Sequence, residues 1–390
     1  MIFVGIDIAK DKHDCCILNS DGEVLFKPFT ISNNLEGFNS LFIRISSITK
    51  DVSQIKVGLE ATGHYSYNIL GFLLGKELPT YVFNPLHTNL YRKSLSLRKT
   101  KTDKVDSHTI ALMLASDVTS KAYSYTAYHN EELKSLARYL FSKTSEQTRL
   151  RVSISRLITI LFPELESFFS TLHITSVYTL LSTFPSAKHI SEANLSKLTN
   201  LLNTASHGHF KREKAIQLRE LARSSIGTFI PSKSLELQQT INYLRVIYKD
   251  IEEIKERIKE IMLEMNSPIL SIPGIGYQTG AMILAEIGDF DRFSSPDKLL
   301  AYTGISPSTY QSGKMSGAYS HMEKRGSRYL RYALMEATRL VCHWEPTFSA
   351  YLGKKLAEGK HYNVAVSHAA KKLIRVMYHL QKTNQTFKSA

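Results

Sequence analysis

The order of apolar segments in residues 1–115 constrains the fold of this chain more than any other feature of its sequence. Three apolar, β-branched segments follow one another with only short polar turns between them: 2–8, 13–18 and 23–31. The second turn carries Asp21-Gly22, a strong hairpin signal, so the three segments are predicted to be hairpin-linked strands. Segments with helical and with strand-like spacing then alternate: 34–48, 55–59, 67–74 and 80–83.

This element order predicts the fold class of the N-terminal part of the chain. Three hairpin-linked strands followed by alternating helices and strands are typical of a ribonuclease H-like domain, an α/β fold built on a mixed sheet. We therefore predict such a domain over residues 1–125. The rest of the chain lacks a comparable strand pattern and is predicted to be all-α.

The middle of the chain, residues 126–266, is predicted to be a coiled-coil linker. Two runs carry apolar residues at alternating spacings of three and four: 131–162 and 237–265. Between them, residues 165–235 are rich in Ser, Thr and Leu and are predicted to form a helical insertion. Two helices of one bundle, a projecting coiled coil and a dimer seam are all compatible with the two runs.

Residues 267–390 are predicted to form a second, helical domain with a binding or catalytic role. The segment 272–281 has the composition of a helix-hairpin-helix, in which Gly274 and Gly276 would bring backbone N–H groups against phosphate oxygens. An ordinary helical turn is the alternative. Residues 364–380 predict an amphipathic helix that packs onto this domain.

Composition narrows the class of partner. Lys and Arg total 49 against 35 Asp and Glu, a formal net charge of +14, while the apolar share of 43% is that of a globular protein. A folded basic protein of this kind binds a polyanion, namely DNA, RNA or an acidic membrane surface. The sequence shows no membrane-spanning run and no signal peptide, so we expect a cytoplasmic, nucleoid-associated protein with no membrane partner. Its three cysteines exclude a disulfide framework and a cysteine-rich zinc site.

Four acidic residues are candidates for a metal site. Asp7 lies in the middle of the apolar first strand, Glu60 ends the fourth, and Asp103 and Asp106 lie three apart at the start of a predicted helix, 102–115. In a ribonuclease H-like sheet these positions converge, and converging carboxylates select Mg²⁺ or Mn²⁺. Two such ions would clamp a phosphodiester. The alternatives are a buried structural role for Asp7 and helix capping by Asp103 and Asp106.

A basic run lies just before the last two acids. Residues 91–104 contain six cationic side chains, of which five are candidate phosphate-backbone ligands: Arg92, Lys93, Arg98, Lys99 and Lys101. A merely solvated charged face is the alternative. The neighbouring acids favour a nucleic-acid track.

A second candidate site lies in the C-terminal domain. Ser312 precedes a glycine in a predicted flexible loop, where its hydroxyl could lie beside a phosphate held by arginines. The cationic residues that follow are candidate nucleic-acid ligands: Lys314, Lys324, Arg325, Arg328 and Arg331. Taken by itself, a Ser-Gly pair is common in ordinary loops.

A resemblance to a known family joins these sites. The ordered motifs look like those of the DEDD-type transposases of the IS-one-ten insertion-sequence family, and they run nearly end to end: Gly5-Ile-Asp-Ile-Ala-Lys10, Glu60-Ala-Thr-Gly63, Asn84-Pro85, Lys101-Thr-Asp-Lys-Val-Asp106, Pro163-Glu164, Pro273-Gly-Ile-Gly276, Gln311-Ser-Gly313 and Lys324-Arg-Gly-Ser-Arg-Tyr-Leu-Arg331. Two positions depart from the family pattern, Ser107 in place of alanine and Glu323 in place of a small or hydroxyl residue.

The resemblance implies a fold, an activity and partners. It implies a RuvC-like nuclease domain at 1–125, the coiled-coil linker at 126–266 and a C-terminal transposase domain at 267–390. It also implies a bacterial homo-oligomer, a dimer or tetramer, in which a structured, element-encoded bridge RNA pairs with donor and target DNA. On this basis Asp7, Glu60, Asp103 and Asp106 hold Mg²⁺ or Mn²⁺, and Ser312 is the nucleophile. Ser316 also precedes a glycine and competes for that role.

Three hypotheses follow. The leading one is a recombinase that moves its own element. The second is a structure-selective DNA nuclease, such as a junction resolvase, that uses only the four acids and a metal-activated water. The third is a non-enzymatic nucleic-acid binder whose acids are structural.

Overall fold

A computed structural model describes residues 1–60, 63–83, 85–95, 103–116, 125–307, 311–312, 315–316, 322–324 and 326–389. The chain divides into two compact units, Met1–Asn130 and Glu131–Ala390. Within the described part, no helix is both long enough and apolar enough to cross a membrane.

The first unit contains a five-stranded mixed sheet. Its strands are β1 (Ile2–Ile8), β2 (Lys12–Leu18), β3 (Val24–Ser32), β4 (Ile55–Glu60) and β5 (Thr80–Phe83). The spatial order is β3-β2-β1-β4-β5; the pairs among β1, β2 and β3 are antiparallel, and β4 is parallel to both β1 and β5. The helices are α1 (Leu35–Ile48), α2 (Tyr67–Gly75), α3 (Pro85–Leu95) and α4 (Asp103–Ala115). This topology confirms the predicted ribonuclease H-like domain.

The two faces of the sheet carry different helices because alternate residues of β1 point in opposite directions. Val4 and Ile6 belong to an apolar cluster with residues of α1 and α2 such as Leu41 and Ile69. Phe3 belongs to a second cluster with residues of α4. The sheet is therefore covered by α1 and α2 on one face and by α4 on the other.

Two long helices organise the second unit, α5 (Tyr125–Leu161) and α11 (Pro231–Met265). Arg257 near the end of α11 binds Glu132 near the start of α5 at 3.0 Å, and Arg156 near the end of α5 binds Glu236 near the start of α11 at 3.1 Å. These pairs make the helices antiparallel neighbours in one chain. That the pair forms a coiled coil stays a prediction.

The helices between α5 and α11 form the predicted insertion: α6 (Leu165–Phe168), α7 (Thr175–Thr183), α8 (Ala187–Ser191), α9 (Leu195–Ala205) and α10 (Arg212–Arg223). They share an apolar core with the last turns of α5 and the first turns of α11, through residues such as Leu157, Leu161, Leu237 and Ile241. The insertion is thus packed against the base that the two long helices provide.

The remaining elements are α12 (Tyr277–Ile287), α13 (Pro296–Thr303), β6 (Gln311–Ser312), β7 (Met315–Ser316), α14 (Arg328–Trp344), α15 (Pro346–Ala357) and α16 (Tyr362–Thr383). Short 3-10 turns occupy Val52–Gln54, Gly63–Ser66, Pro268–Ser271 and Phe290–Arg292. One core joins the C-terminal half of α11 to helices α12 to α16, and α16 packs there as predicted. Packing therefore unites the predicted linker and C-terminal domain in a single compact unit; the domain boundaries proposed from the sequence stay predictions.

Candidate functional site

Two of the four candidate acids lie on adjacent parallel strands. Asp7 is the penultimate residue of β1, nearer the strand's end than the sequence suggested, and Glu60 is the last residue of β4. The register pairs Gly5 with Gly58 and Ile6 with Leu59, and its next step brings Asp7 alongside Glu60. Neighbouring strands are about 4.8 Å apart, so both carboxylates emerge from the same edge of the sheet.

Helix α4 covers the face on which these two acids lie. A Cβ added to Gly5 would lie 2.1 Å from the carbonyl oxygen of Ser107 and 2.5 Å from the backbone nitrogen of Ala111. A Cβ on Gly58 would similarly meet the side chain of Leu114 at 2.9 Å. Because residues two apart share a face, Asp7 faces α4 as Gly5 does.

The direction of α4 places its first turn at the acidic edge of the sheet. Its last turns, at Met113 and Leu114, pack with Phe3 near the start of β1. The helix therefore runs opposite to β1, and its first turn, which contains Asp103 and Asp106, lies toward the strand ends. For Asp103 only the backbone position is described.

Asp106 has an ion-pair partner that the sequence did not suggest. Nη1 of Arg92, on α3, donates to Oδ1 of Asp106 at 2.7 Å, and Nη2 of Arg92 donates to Oδ1 of Asn89 at 2.8 Å. The Asp106 side chain is 11% exposed and that of Arg92 is 23% exposed. A predicted metal ligand and a predicted phosphate ligand thus neutralise each other.

The donor chemistry of this region fits a hard divalent cation, since its acids offer only carboxylate oxygens. Among the side chains that the structure describes, no three Asp, Glu, His or Cys residues lie close enough to hold an ion. The fold brings the backbone of the four acids to one edge, and Asp106 is engaged by Arg92. The four-acid metal site stays a prediction.

Asp14 is a fifth acid on this face, and the sequence argument missed it. It lies directly opposite Asp7 in the β1–β2 register. Cys16, two residues further on, packs in the α4 cluster, which puts Asp14 on the same side. Asp14 is 4% exposed and accepts a 2.6 Å hydrogen bond from Thr30. A charge inside an apolar strand, the signal used for Asp7, would also have found Asp14.

The two candidate glycines before α12 differ in their surroundings. Gly274 has φ +94°, and a Cβ there would lie 2.7 Å from the carbonyl carbon of Leu340 and from the nitrogen of Val341 in α14. Gly276 is the exposed N-cap of α12, with nothing within 4 Å of an added Cβ. Gly274 therefore serves helix packing, and Gly276 is the open position at the helix N-terminus.

A buried acid holds the start of α14, which carries two of the candidate arginines, Arg328 and Arg331. The carboxylate of Glu286, on α12, accepts two hydrogen bonds from Arg138: Oε1 accepts from Nε at 2.5 Å and Oε2 accepts from Nη2 at 3.0 Å. Burial alone would raise the pKa of Glu286, but hydrogen bonds from Arg138 and from Ser327, the N-cap of α14, lower it below its usual value. These bonds tie the first turn of α14 to α5 and α12.

The candidate cations at this turn are only partly described. Arg328 is exposed, stacks over Tyr329 at 4.8 Å and donates to its hydroxyl, while Arg331 donates to the carbonyl of Gly326 at 3.1 Å. Lys324 is exposed with φ +54°.

Counting the basic run before α4 as well, five candidate cations lie outside the described residues: Arg98, Lys99, Lys101, Lys314 and Arg325.

Ser312 lies on a short β-hairpin. Its backbone pairs with Met315, and Gln311 pairs with the competing candidate Ser316. No side chain of this hairpin is described, so the nucleophile assignment stays a prediction.

Comparison with known proteins identifies the family. Residues 4–163 match the DEDD IS110 family model, described as a transposase, and residues 266–353 match the model described as Transposase IS116/IS110/IS902 family. The chain belongs to the IS110 family of DEDD transposases. This confirms the resemblance drawn from the motifs, and the chain is an enzyme that acts on DNA.

Relatives match this transposase along nearly its whole length. A pilin gene-inverting protein from Moraxella bovis is 24% identical over 99% of this chain and 97% of its own. The mini-circle putative transposase for IS117 from Streptomyces coelicolor is 22% identical over 99% of this chain and 95% of its own.

Among solved structures, Thermus thermophilus RuvC in complex with a Holliday junction substrate covers 32% of this chain and 99% of its own, with 15% identity and a TM-score of 0.24. At that level of similarity nothing about activity follows, and the fold assignment rests on the observed strand order.

Proposed function

We propose that this transposase cuts and rejoins DNA strands to move its own insertion sequence, using a divalent-metal site at Asp7, Glu60, Asp103 and Asp106 and a nucleophile at Ser312. The observation that carries the proposal is the close approach of α4 to Gly5 and Gly58, which sets the first turn of α4 beside the ends of β1 and β4. Carboxylates from three elements then reach one edge of the sheet.

The chemistry is a pair of transesterifications. Attack by Ser312 Oγ on the scissile phosphorus forms a phosphoserine ester and releases one deoxyribose hydroxyl, and attack by a hydroxyl of the other DNA end reverses this step. The phosphodiester count is unchanged, so rejoining needs no ATP. Bound Mg²⁺ or Mn²⁺ would offset negative charge on the phosphate.

One observation favours rejoining over simple hydrolysis. The Moraxella relative is named for inverting a pilin gene, and an inverted segment has to be rejoined at both ends. A separate observation supports a phosphate site in the C-terminal part of the chain: the tether between Glu286 and the start of α14 fixes the backbone from which Arg328 and Arg331 extend, close in sequence to Ser312. Guanidinium groups on a fixed backbone suit a phosphate in either reaction.

The partners proposed for this reaction are donor DNA, target DNA and a structured bridge RNA. The net charge of +14 supports binding to polyanions, and RNA guidance comes from the family resemblance. The acids and Ser312 belong to different compact units. The proposed reaction requires the acids and Ser312 to act on one phosphate, within one chain or between copies of a homo-oligomer.

A denaturing gel tests the nucleophile. The full-length protein is incubated with its RNA, labelled donor DNA and Mg²⁺, and we expect a protein–DNA adduct that is lost in Ser312→Ala and kept in the matched control Ser316→Ala. Undiminished cleavage without any adduct in Ser312→Ala would favour the structure-selective nuclease. Loss of the adduct in Ser316→Ala alone would reassign the nucleophile.

Two further experiments test the metal site and the RNA. Asp7→Asn is expected to abolish recombination. Full activity in that variant would contradict the metal site and would mean that the acids have only a structural role. RNA extracted from the purified protein is expected to map to a non-coding segment beside the gene. Recombination by a preparation freed of RNA would contradict RNA guidance.

A further inference from the structure

The ion pair between Arg92 and Asp106 joins a residue of the basic run to a residue of the acidic site. The Asp106 side chain is 11% exposed, and its carboxylate lies 2.7 Å from the Arg92 guanidinium. Asn89, one turn earlier on α3, accepts the second guanidinium bond. The arginine is therefore held by two acceptors in a partly buried position, where a charge-assisted hydrogen bond is stronger than in water.

This pairing conflicts with metal binding at Asp106. A divalent cation on the Oδ1 that Arg92 occupies would place two positive groups on one carboxylate oxygen, at a distance where like charges repel strongly. The guanidinium therefore competes electrostatically with a cation at Asp106, and the cation binds more tightly once the guanidinium has left. Because Arg92 opens a run of cations, a DNA or RNA phosphate on that run offers the guanidinium another oxygen acceptor.

We propose that Arg92 is a positioning residue that couples metal binding to nucleic-acid binding. Without nucleic acid, Arg92 neutralises Asp106 and lowers the affinity of the site for a divalent cation. When a backbone phosphate binds the basic run, Arg92 transfers to that phosphate and Asp106 becomes a metal ligand. The inference rests on the proposed metal site, and it makes cation loading depend on the presence of substrate.

The contacts of α3 allow this exchange without undocking the helix. Next to Arg92, the Tyr91 hydroxyl lies 2.8 Å from the hydroxyl of Ser116, just beyond the other end of α4. This contact does not involve Asp106. Arg92 can therefore change partners by a side-chain rotation while Tyr91 keeps α3 against α4.

Mn²⁺ affinity tests the proposal without relying on activity. The full-length, nucleic-acid-free protein is titrated with Mn²⁺, and free Mn²⁺ is measured by electron paramagnetic resonance. In Arg92→Gln we expect Mn²⁺ to bind about tenfold more tightly than in wild type, the factor that corresponds to one charged hydrogen bond. Lys93→Gln removes the same charge from an exposed neighbour and is expected to change affinity about twofold or less, a long-range effect of one solvated charge.

The direction of the change separates coupling from a structural role. If Arg92 merely supported the fold of the site, its loss would weaken Mn²⁺ binding, so equal or weaker binding in Arg92→Gln would overturn the proposal. Asn89→Ala keeps the charge and loosens the arginine, and a smaller tightening is expected there. This variant also tests the proposal should Arg92→Gln fail to fold.

Added DNA provides the reciprocal test. Linkage requires that a donor duplex tighten Mn²⁺ binding to wild type by a larger factor than it tightens Mn²⁺ binding to Arg92→Gln. Asp106→Asn is measured in parallel, and the Mn²⁺ binding that remains in this variant is subtracted as the contribution of DNA itself. An equal DNA effect in both proteins would overturn the coupling. If neither wild type nor Arg92→Gln shows Mn²⁺ binding that depends on Asp106, the proposed metal site itself fails, and the coupling fails with it. The two outcomes therefore distinguish a failure of the coupling from a failure of the metal site.

Discussion

At the scale of single residues, Gly5 controls the acidic site although it carries no functional group. Its Cα lies so close to α4 that a methyl group would overlap the backbone at Ser107 and Ala111. Backbone cannot rotate away as a side chain can, so any larger residue has to displace the helix that carries Asp106. The glycine in the first motif is thus required for α4, which carries Asp106, to pack closely against β1, which carries Asp7.

We predict that Gly5→Ala lowers the free energy of unfolding by about 3 kcal/mol, the upper range for an overpacked core, and weakens Mn²⁺ binding. Gly71→Ala in α2 is the matched control, because a Cβ there has nothing within 4 Å. That change is expected to stabilise by about 0.5–1 kcal/mol, as alanine does for glycine in a helix. Urea unfolding followed by circular dichroism measures both, and equal effects would contradict the packing argument.

His13 is a second residue with a measurable signature. It is fully buried on β2, stacked on Phe38 at 5.9 Å, and neither ring nitrogen has a hydrogen-bond partner among the described residues. Burial lowers the pKa of His13 below its usual value of 6.5. The folded protein therefore resists a proton that the unfolded chain accepts once the pH falls below about 6.5.

The sign of the pH effect follows from that difference. Above about pH 6.5 the ring is neutral in both states and adds no pH dependence, and below it each pH unit removes up to about 1.4 kcal/mol of stability until the folded pKa is reached. We predict that His13→Leu flattens the fall in unfolding free energy between pH 7 and 5. Parallel pH profiles for wild type and His13→Leu would contradict this.

At the scale of elements, two contacts set the position of α14 and are open to separate tests. One is the close approach of the turn at Gly274 to the backbone of α14. The other is Glu286 of α12, which is held by Arg138 of α5 and bonds to Ser327, the N-cap of α14. Both contacts join positions that are far apart along the chain. Together they fix the helix from which Arg328 and Arg331 extend.

Substitutions of the two glycines at this turn distinguish a role in helix packing from a role in phosphate binding. Gly274→Ala is expected to cost about 3 kcal/mol, because the left-handed φ and the contact with α14 both oppose a side chain. Gly276→Ala is expected to cost about 0.5–1 kcal/mol as an N-cap change and to weaken DNA binding measured by fluorescence anisotropy. Unchanged DNA affinity in Gly276→Ala would count against a phosphate contact at this turn.

The ion pair at Glu286 differs from the surface pairs of the long helices. The Glu286 side chain is 2% exposed, while Arg138 is 42% exposed, so solvent reduces the cost of losing the pair. We expect Arg138→Met to destabilise by about 2–3 kcal/mol, less than for a fully buried pair. Arg156→Met, which breaks an exposed pair with Glu236, is expected to cost about 0.5 kcal/mol in the same urea assay. Equal losses would contradict the buried role of Glu286.

At the scale of the whole molecule, the division into Met1–Asn130 and Glu131–Ala390 predicts two unfolding steps. Each unit has its own apolar core, so differential scanning calorimetry is expected to resolve two transitions. Gly5→Ala should shift one of them and Arg138→Met the other. A single transition that moves with both substitutions would show that the units unfold together.

The sequence by itself determined the strands, their order and the long helices. Apolar, β-branched segments, the Asp21-Gly22 turn and three-four spacing are local signals, and local signals specify elements. They also located the acids, since a charge such as Asp7 in an apolar strand stands out within a few residues.

The tertiary structure alone decided which of these elements and charges meet. The antiparallel pairing of α5 with α11, the contact between Gly274 and α14, and the capture of Asp106 by Arg92 each join positions distant along the chain. No spacing rule encodes such contacts, because a side chain's partner depends on how whole elements pack. For that reason the sequence predicted that Arg92 binds a phosphate and that Asp106 binds a metal ion, while the fold places the two side chains 2.7 Å apart.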